Sequence, residues 1–367
     1  MISSKTTLRL LVATMGVVLS PLFLGPTPAA AFDPERITVH GFFDIEYLQA
    51  TENEGSDRGD ASDPTNGAFD QHHFNLLADI RILPELVAKA HVEFDHGADS
   101  ELGSGGIILE YAFADYYILQ EALRIRAGKT LTPYGFYNEV HDASPAFLSV
   151  TIPWAVYKSD AMGGFPFMPK WITGFAALGG YAIGEAHHDV DFALFVGNGE
   201  SLGSNEAQFD DNPNKAVGGR LQYVSHEENF RASLSYYNGD KAVASDSLAV
   251  PHWSLIASIG AKYEEMTVET EYATSELGAK RQYAWYAIAS YRHGRYTPYL
   301  RYQFIDPNEE ISDDTWGATT GGVNVMINDH LFFKLDYTAH TRGAKNGAIL
   351  NGIEDFGETR AAFTIHF

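Results

Sequence analysis

WSLIASIGAKYE, residues Trp253–Glu264, puts Trp253, Leu255, Ala257, Ile259, Ala261 and Tyr263 on one face. Ser254, Ser258, Lys262 and Glu264 fall on the other. Successive side chains of an extended chain point to opposite sides, so this stretch reads as a strand with one apolar and one polar face. The same period returns along the chain. In Val87–Asp95, Ala88, Ala90, Val92 and Phe94 oppose Lys89, His91, Glu93 and Asp95. In Phe230–Tyr237, Phe230, Ala232, Leu234 and Tyr236 oppose Arg231, Ser233 and Ser235. In Thr359–Phe367, Thr359, Ala361, Phe363, Ile365 and Phe367 oppose Arg360, Thr364 and His366. A soluble sandwich also alternates, but its strands are shorter. These run about nine to thirteen residues, the length a tilted membrane strand needs.

The connectors between such segments alternate short and long. The short ones are Leu83–Leu86, Gln120–Ala122, Gly184–His188, Glu227–Asn229, Glu264–Met266, His293–Arg295 and Asn328–His330. The long ones are Thr51–Ala68, Gly97–Gly105, Leu131–Lys170, Gly197–Asn214, Asn238–Pro251, Ser275–Lys280, Asp306–Asp314 and Gly343–Gly357. Short turns on one rim and long loops on the other are the pattern of a transmembrane β-barrel. Seven turns and eight loops imply sixteen strands, with fourteen and eighteen as the neighbouring even counts. Strands are expected to begin near Ile37, Phe69, Val87, Ile107, Leu123, Trp171, Asp189, Lys215, Phe230, His252, Thr267, Arg281, Tyr296, Thr315, Leu331 and Glu358. The sixth and fourteenth are the weakest readings, because both are rich in glycine.

Lys5 and Arg9 flank the start of an apolar stretch that runs to about Leu24, and Ala29-Ala30-Ala31 precedes Phe32. A positive start, an apolar core and an A-x-A end form a secretory signal peptide. Residues 1–31 are expected to be removed and 32–367 to form a single barrel domain. That cleavage takes away Lys5 and Arg9 and no acid, leaving 336 residues with 23 basic against 48 acidic side chains, formal charge −25. Such acidity argues against nucleic acid, whose phosphates need a basic surface. The chain contains no cysteine, so no lipidated cysteine is available; export to an oxidising space is consistent with that absence. No run after residue 31 approaches the ~18 apolar residues of a spanning helix.

Two stretches resemble a known family. The ending Ala361-Ala362-Phe363-Thr364-Ile365-His366-Phe367 is similar to the C-terminal signal of Gram-negative outer-membrane barrels. The resemblance implies recognition of Phe363, Ile365 and Phe367 by the barrel insertion machinery. Arg124–Gly135 contains Gly128-Lys129-Thr130-Leu131-Thr132-Pro133-Tyr134-Gly135. It is similar to the strand-five exit of phosphate-selective and related porins, which carry Gly-(Gln/Lys)-x-x-x-Pro-(Phe/Tyr)-Gly. Membership of the porin superfamily implies an all-β fold with the third loop folded inward, an outer-membrane location and a homotrimer. The lysine-rich cluster of a phosphate-selective channel is not evident. Lys129, Lys158 and Lys170 lie in or beside the long loop, but so do Glu139, Asp142 and Asp160.

With polar faces inward, the lumen holds Arg81, Lys89, Arg124, Arg126, Arg220, Arg231, Arg301, Lys334 and Arg360. Glu93, Asp95, Glu110, Asp191, Glu269, Glu271 and Asp336 join them. The segment Leu131–Lys170 carries Pro133, Tyr134, Phe136, Tyr137, Phe147, Leu148, Trp154, Phe165, Phe167 and Met168, which need burial. It is therefore expected to fold against the inner wall as a constriction. Glu139, Asp142 or Asp160 would then face some of Arg124, Arg126, Arg301 and Arg360, making a transverse field that filters polar solutes. The plain alternative is a wet wall of neutralising ion pairs.

Acids crowd Thr51–Ala68 and Asp306–Asp314. They would concentrate cations at the mouth or hold divalent ions that bridge to lipopolysaccharide, and neither has EF-hand spacing. His72-His73 and His187-His188 cannot chelate one ion from a regular strand, since neighbours point to opposite faces. His141 and Ser144 share the long loop, but there is no G-x-S-x-G, and no phosphate loop follows Gly103–Gly106. The sequence reads as a passive channel for small hydrophilic solutes in the outer-membrane lipid, with no catalytic residues, metal or cofactor. A substrate-selective oxyanion channel and a structural or adhesive barrel with a blocked pore are the alternatives. Acidic mouths and a charge of −25 lean it weakly towards cations.

Overall fold

The computed structural model describes residues 36–52, 64–71, 73–95, 106–141, 143–184, 188–200, 214–242, 249–346 and 353–367. Residues 1–31, read above as a signal peptide, lie outside them. Strands begin with β1 (Ile37–Ala50) and β2, whose two segments Ala68–Asp70 and His73–Leu83 both pair with β1. β3 (Leu86–Asp95), β4 (Gly106–Tyr117), β5 (Arg124–Leu131), β6 (Trp171–Ile183), β7 (His188–Gly197) and β8 (Ala216–Val224) follow. The other half holds β9 (Phe230–Ala242), β10 (Ala249–Tyr263), β11 (Met266–Leu277), β12 (Lys280–Tyr291) and β13 (Tyr296–Asp306). It ends with β14 (Trp316–Asn328), β15 (Leu331–Arg342) and β16 (Asp355–His366). The sheet has 17 strand segments, and counting the two parts of β2 as one gives sixteen strands.

Each strand pairs antiparallel with its neighbours in sequence, and β1 pairs with β16, with Leu48 opposite Arg360. The sheet therefore closes on itself and leaves no edge, which is what a strand structure in lipid requires. Each expected strand start lies within three residues of the observed one. The glycine-rich β6 and β14 are full members, at 13 residues each. On β14 a Cβ at Gly322 would stand 2.5 Å from the Tyr299 hydroxyl of β13, so the glycine makes room for a ring lying across the sheet.

Two expected long connectors are shorter than read. Ser275–Lys280 is a two-residue turn, because β11 runs to Leu277, β12 starts at Lys280, and Gly278 supplies a φ of +60°. Asn238–Pro251 shrinks to residues 243–248, because β9 and β10 pair out to Ala242 opposite Ala249. The polar character of both strand ends made them look like loop.

The two faces differ in chemistry. Outward positions include Ile107, Leu194, Leu221, Leu234, Ile259 and Leu300, the last 60 % exposed. Tyr181, Tyr263, Tyr291 and Tyr296 stand exposed towards the short-turn rim. An apolar belt of this extent around a barrel fits a hydrocarbon surround and not water. The inner face carries the charged and hydroxylated side chains, and its apolar core joins residues of the long loop between β5 and β6 to apolar residues of the wall.

Candidate pore constriction

The loop of residues 132–170 is the third on its rim. Its neck is closed by the Thr132 N–H donating to the Lys170 carbonyl at 2.9 Å. The Asn138 amide spans the same two strands of the neck, donating to the Thr132 and Lys170 carbonyls at 2.7 and 3.0 Å. Pro133 ends the β5 ladder, and Gly135 turns the chain inward at φ +56°. A Cβ at Gly135 would lie 2.1 Å from the Tyr157 hydroxyl, so the turn admits only glycine. Beyond it come short helical turns at Asn138–Val140 and Ser144–Ala146 and the single turn α1 (Trp154–Tyr157). Tyr134 stacks on Tyr157 at 5.6 Å, which joins the descending and returning arms.

Side chains of the opposite wall hold the loop by its backbone. Glu271 on β11, fully buried, accepts from the Phe136 N–H at 2.7 Å, the Tyr157 hydroxyl at 2.6 Å and the Ser258 hydroxyl at 2.6 Å. Glu269, one inward position away, accepts from the Tyr137 hydroxyl at 2.7 Å and pairs with Arg231 at 2.5 Å. Burial, and then these carboxylates, push the Tyr137 and Tyr157 phenols well above their ordinary range. Both are therefore neutral donors at any working pH. Further round, Gln282 exchanges two hydrogen bonds with the Phe165 backbone at 3.0 and 2.5 Å, and the Gln303 amide oxygen accepts from the Ala155 N–H at 3.2 Å.

The tip of the loop rests on β13–β15. Arg301 donates to the Ser149 hydroxyl at 2.9 Å and the Thr151 carbonyl at 2.7 Å. Lys334 donates to the carbonyls of Ser144, Phe147 and Ser149 at 2.5, 2.6 and 3.1 Å. Asp336 accepts from the Val150 N–H at 3.1 Å. Irregular backbone away from water needs partners for its N–H and C=O groups, and here the wall supplies several of them. Beneath these bonds Phe147, Ile152, Val156, Met162, Phe167 and Met168 pack with Ile256, Tyr286, Ile305 and Trp316 of the wall.

Arg126 on β5 makes a two-pronged pair with Asp115 of β4 at 2.8 and 2.9 Å and lies 3.7 Å over the Phe113 ring. Arg124 reaches the same carboxylate at 3.4 Å. Arg301 is 1 % exposed and lies under the loop. Arg360 pairs with Glu46 at 2.7 Å and Glu358 at 3.4 Å, 5.0 Å from the Trp154 ring of the loop. Glu139 pairs with Arg220 of β8 at 2.6 Å. Asp160 is exposed at a turn of the loop, and Asp142 lies outside the described residues. Each of Arg124, Arg126, Arg220 and Arg231 thus sits against a carboxylate, supplied by Asp115 of β4, Glu139 of the loop and Glu269 of β11. Phe363 and Phe367 are about half exposed on the outward side of β16, with Ile365 between them. The anchoring roles of Glu271, Lys334 and Asp336 went unread, because alternation gives a side chain's face and not the loop atom it meets.

No family profile matches the sequence, and no curated protein does. Solved structures do match. The anion-selective porin from Comamonas acidovorans superposes with a TM-score of 0.66 at 14 % identity, over 90 % of this chain and 99 % of that one. OmpF of Salmonella typhi, solved with daunomycin, gives 0.61 at 12 %, over 90 % and 97 %. The outer membrane channel DcaP of Acinetobacter baumannii gives 0.59 at 12 %, also over 90 % and 97 %. The fold is that of the Gram-negative porins. Within this porin fold the third loop crosses the barrel interior from β5 to the β11–β15 wall, bound at both ends and along its length.

Proposed function

We infer that residues 32–367 form a porin of the outer membrane that passes small hydrophilic solutes by passive diffusion, with the third loop as its constriction. It is a conduit and not an enzyme. The observation that carries this reading is the loop's attachment: an internal segment of this length, stitched to the far wall through Glu271, Arg301 and Lys334, narrows a polar-lined barrel. The exposed apolar outer face supports a surround of lipid, with lipopolysaccharide in the outer leaflet, and the barrel insertion machinery is read as its route there. Residues 1–31 serve as the cleaved export signal. A homotrimer, as the resemblance implies, would be seen as a threefold mass in native mass spectrometry.

Selectivity is read from charge. The acidic outer connectors and the formal charge of −25 after cleavage favour cations at the mouth, and the paired arginines of the wall moderate that preference. Proteoliposomes should swell in small sugars at rates that fall with solute size. A salt gradient across a planar bilayer should give a reversal potential of cation-selective sign. Absence of swelling by correctly folded protein would leave the blocked, structural barrel as the better reading.

A further inference from the structure

Many apolar side chains of the third loop are buried against the wall, but Phe136, Val140, Ala146 and Leu148 keep open surface on one cavity of about 400 Å³. That volume lies within the range of ligand cavities, about 300 to 1,000 Å³. Across from the loop the cavity is closed by Ile288, and Arg231, Thr267, Glu269 and Ser290 of β9, β11 and β12 line it as well. Thr267 and Ser290 stand directly opposite each other, close to the short-turn rim. Arg231, Thr267 and Glu269 also line an adjoining cavity of about 530 Å³ that reaches the turn residues Glu228 and Asn229. They are therefore the polar border of an otherwise apolar pocket. Apolar surface gathered in this way inside a polar-lined barrel is unfavourable until something covers it.

The border has spare hydrogen-bonding capacity of one kind. Both oxygens of Glu269 are engaged, one by Arg231 at 2.5 Å and the other by the Tyr137 hydroxyl at 2.7 Å. Arg231 uses one terminal nitrogen for that pair, and its guanidinium lies 3.8 Å over the Phe136 ring. Its remaining N–H groups, and the hydroxyls of Thr267 and Ser290, make no hydrogen bond among the described residues. Charge then selects the head of the occupant. An anion drawn to Arg231 meets Glu269 beside it, and Asp189, Asp191 and Glu228 in the adjoining cavity. A cation drawn to those acids meets Arg231 at the border and Lys262 beyond it. An uncharged head escapes both penalties.

We propose that this cavity, between the third loop and the short-turn rim, is a binding site for small uncharged amphiphiles, an apolar ring or short chain carrying a hydroxyl or carbonyl head. The apolar body covers Phe136, Val140, Ala146 and Leu148. The head accepts from the spare N–H groups of Arg231 and from the hydroxyls of Thr267 and Ser290. The proposal deepens the channel reading by naming a solute class held beside the constriction, and it rests on that reading for its physiological meaning.

The test is fluorine NMR titration of the folded protein in detergent micelles, with empty micelles as the reference. Para-fluorobenzyl alcohol is the uncharged probe, and para-fluorobenzoate and para-fluorobenzylamine carry the same ring with a negative and a positive head. Saturable binding is expected for the alcohol, and binding about tenfold weaker for both charged probes. Thr267→Val and Ser290→Ala, each deleting one hydroxyl, should weaken the alcohol by about fivefold. Arg231→Gln leaves the charge of Glu269 unmatched, so para-fluorobenzylamine should then bind more tightly than the alcohol. No saturable binding beyond that of empty micelles overturns the site. So does binding of the alcohol that neither hydroxyl deletion weakens, or a native protein that prefers a charged probe. Because no conduction is needed, the two readings fail separately: binding without conductance removes the channel, and conductance without binding removes the site.

Discussion

Glu271 shows how one buried side chain fixes a loop. It accepts from Phe136, Tyr157 and Ser258, and water cannot replace it because the site is closed. A buried donor left without a partner costs about 1–3 kcal/mol. Glu271→Ala should therefore loosen the loop root and expose Phe136 and Tyr137 to chymotrypsin in folded protein, with a lowered melting temperature. Glu271→Gln, which keeps one acceptor, should fall between. Uncut loop in Glu271→Ala would mean the carboxylate does not hold it. The same logic applies to Lys334→Met, which keeps the bulk and abandons the carbonyls of Ser144, Phe147 and Ser149. Its melting temperature should fall while its strand content, read by circular dichroism, stays native. Alternation alone assigned Glu271, Arg301 and Lys334 to the inner face. Their partners lie between 114 and 190 residues away in sequence, and nothing local to a strand encodes which loop atom it will meet.

Strands were the most legible level, because lipid outside and polar groups inside impose a strict period of two. Trp253–Glu264 shows this fully: Ser254, Ile256 and Ser258 are buried inward while Ala257 and Ile259 stand exposed. Even the buried Ile256, the one apolar residue on the polar side, fits once the inward loop gives it neighbours. The outer strand ends were less legible, as Ser275–Lys280 shows, since above the apolar belt both faces are polar and the period fades. The final strand seals the barrel: Phe367 and Gly41 exchange two backbone hydrogen bonds at 2.9 Å, and the Phe367 ring lies where a side chain at position 41 would stand. Deleting Phe367, or replacing it by Asp, should cut the yield of heat-modifiable barrel in membranes far more than truncating Gly343–Gly357. Equal yields would assign the terminal phenylalanine no part in assembly.

The molecule as a whole is an inverted arrangement, with its apolar surface outside and its charges within. Leu300, exposed in the middle third of β13, marks the outside, and Arg301 beside it marks the inside. Leu300→Arg should destabilise the folded barrel by about 2–4 kcal/mol in lipid vesicles, read from urea unfolding followed by tryptophan fluorescence. A cost near zero would place that face away from hydrocarbon. The central claim, a channel narrowed by its third loop, is tested most directly by single-channel conductance in planar bilayers. The native protein should open in discrete ohmic steps, and deletion of Asn138–Lys158 from a barrel that still folds should enlarge those steps. Steps of unchanged size in the folded deletion variant would contradict the claim.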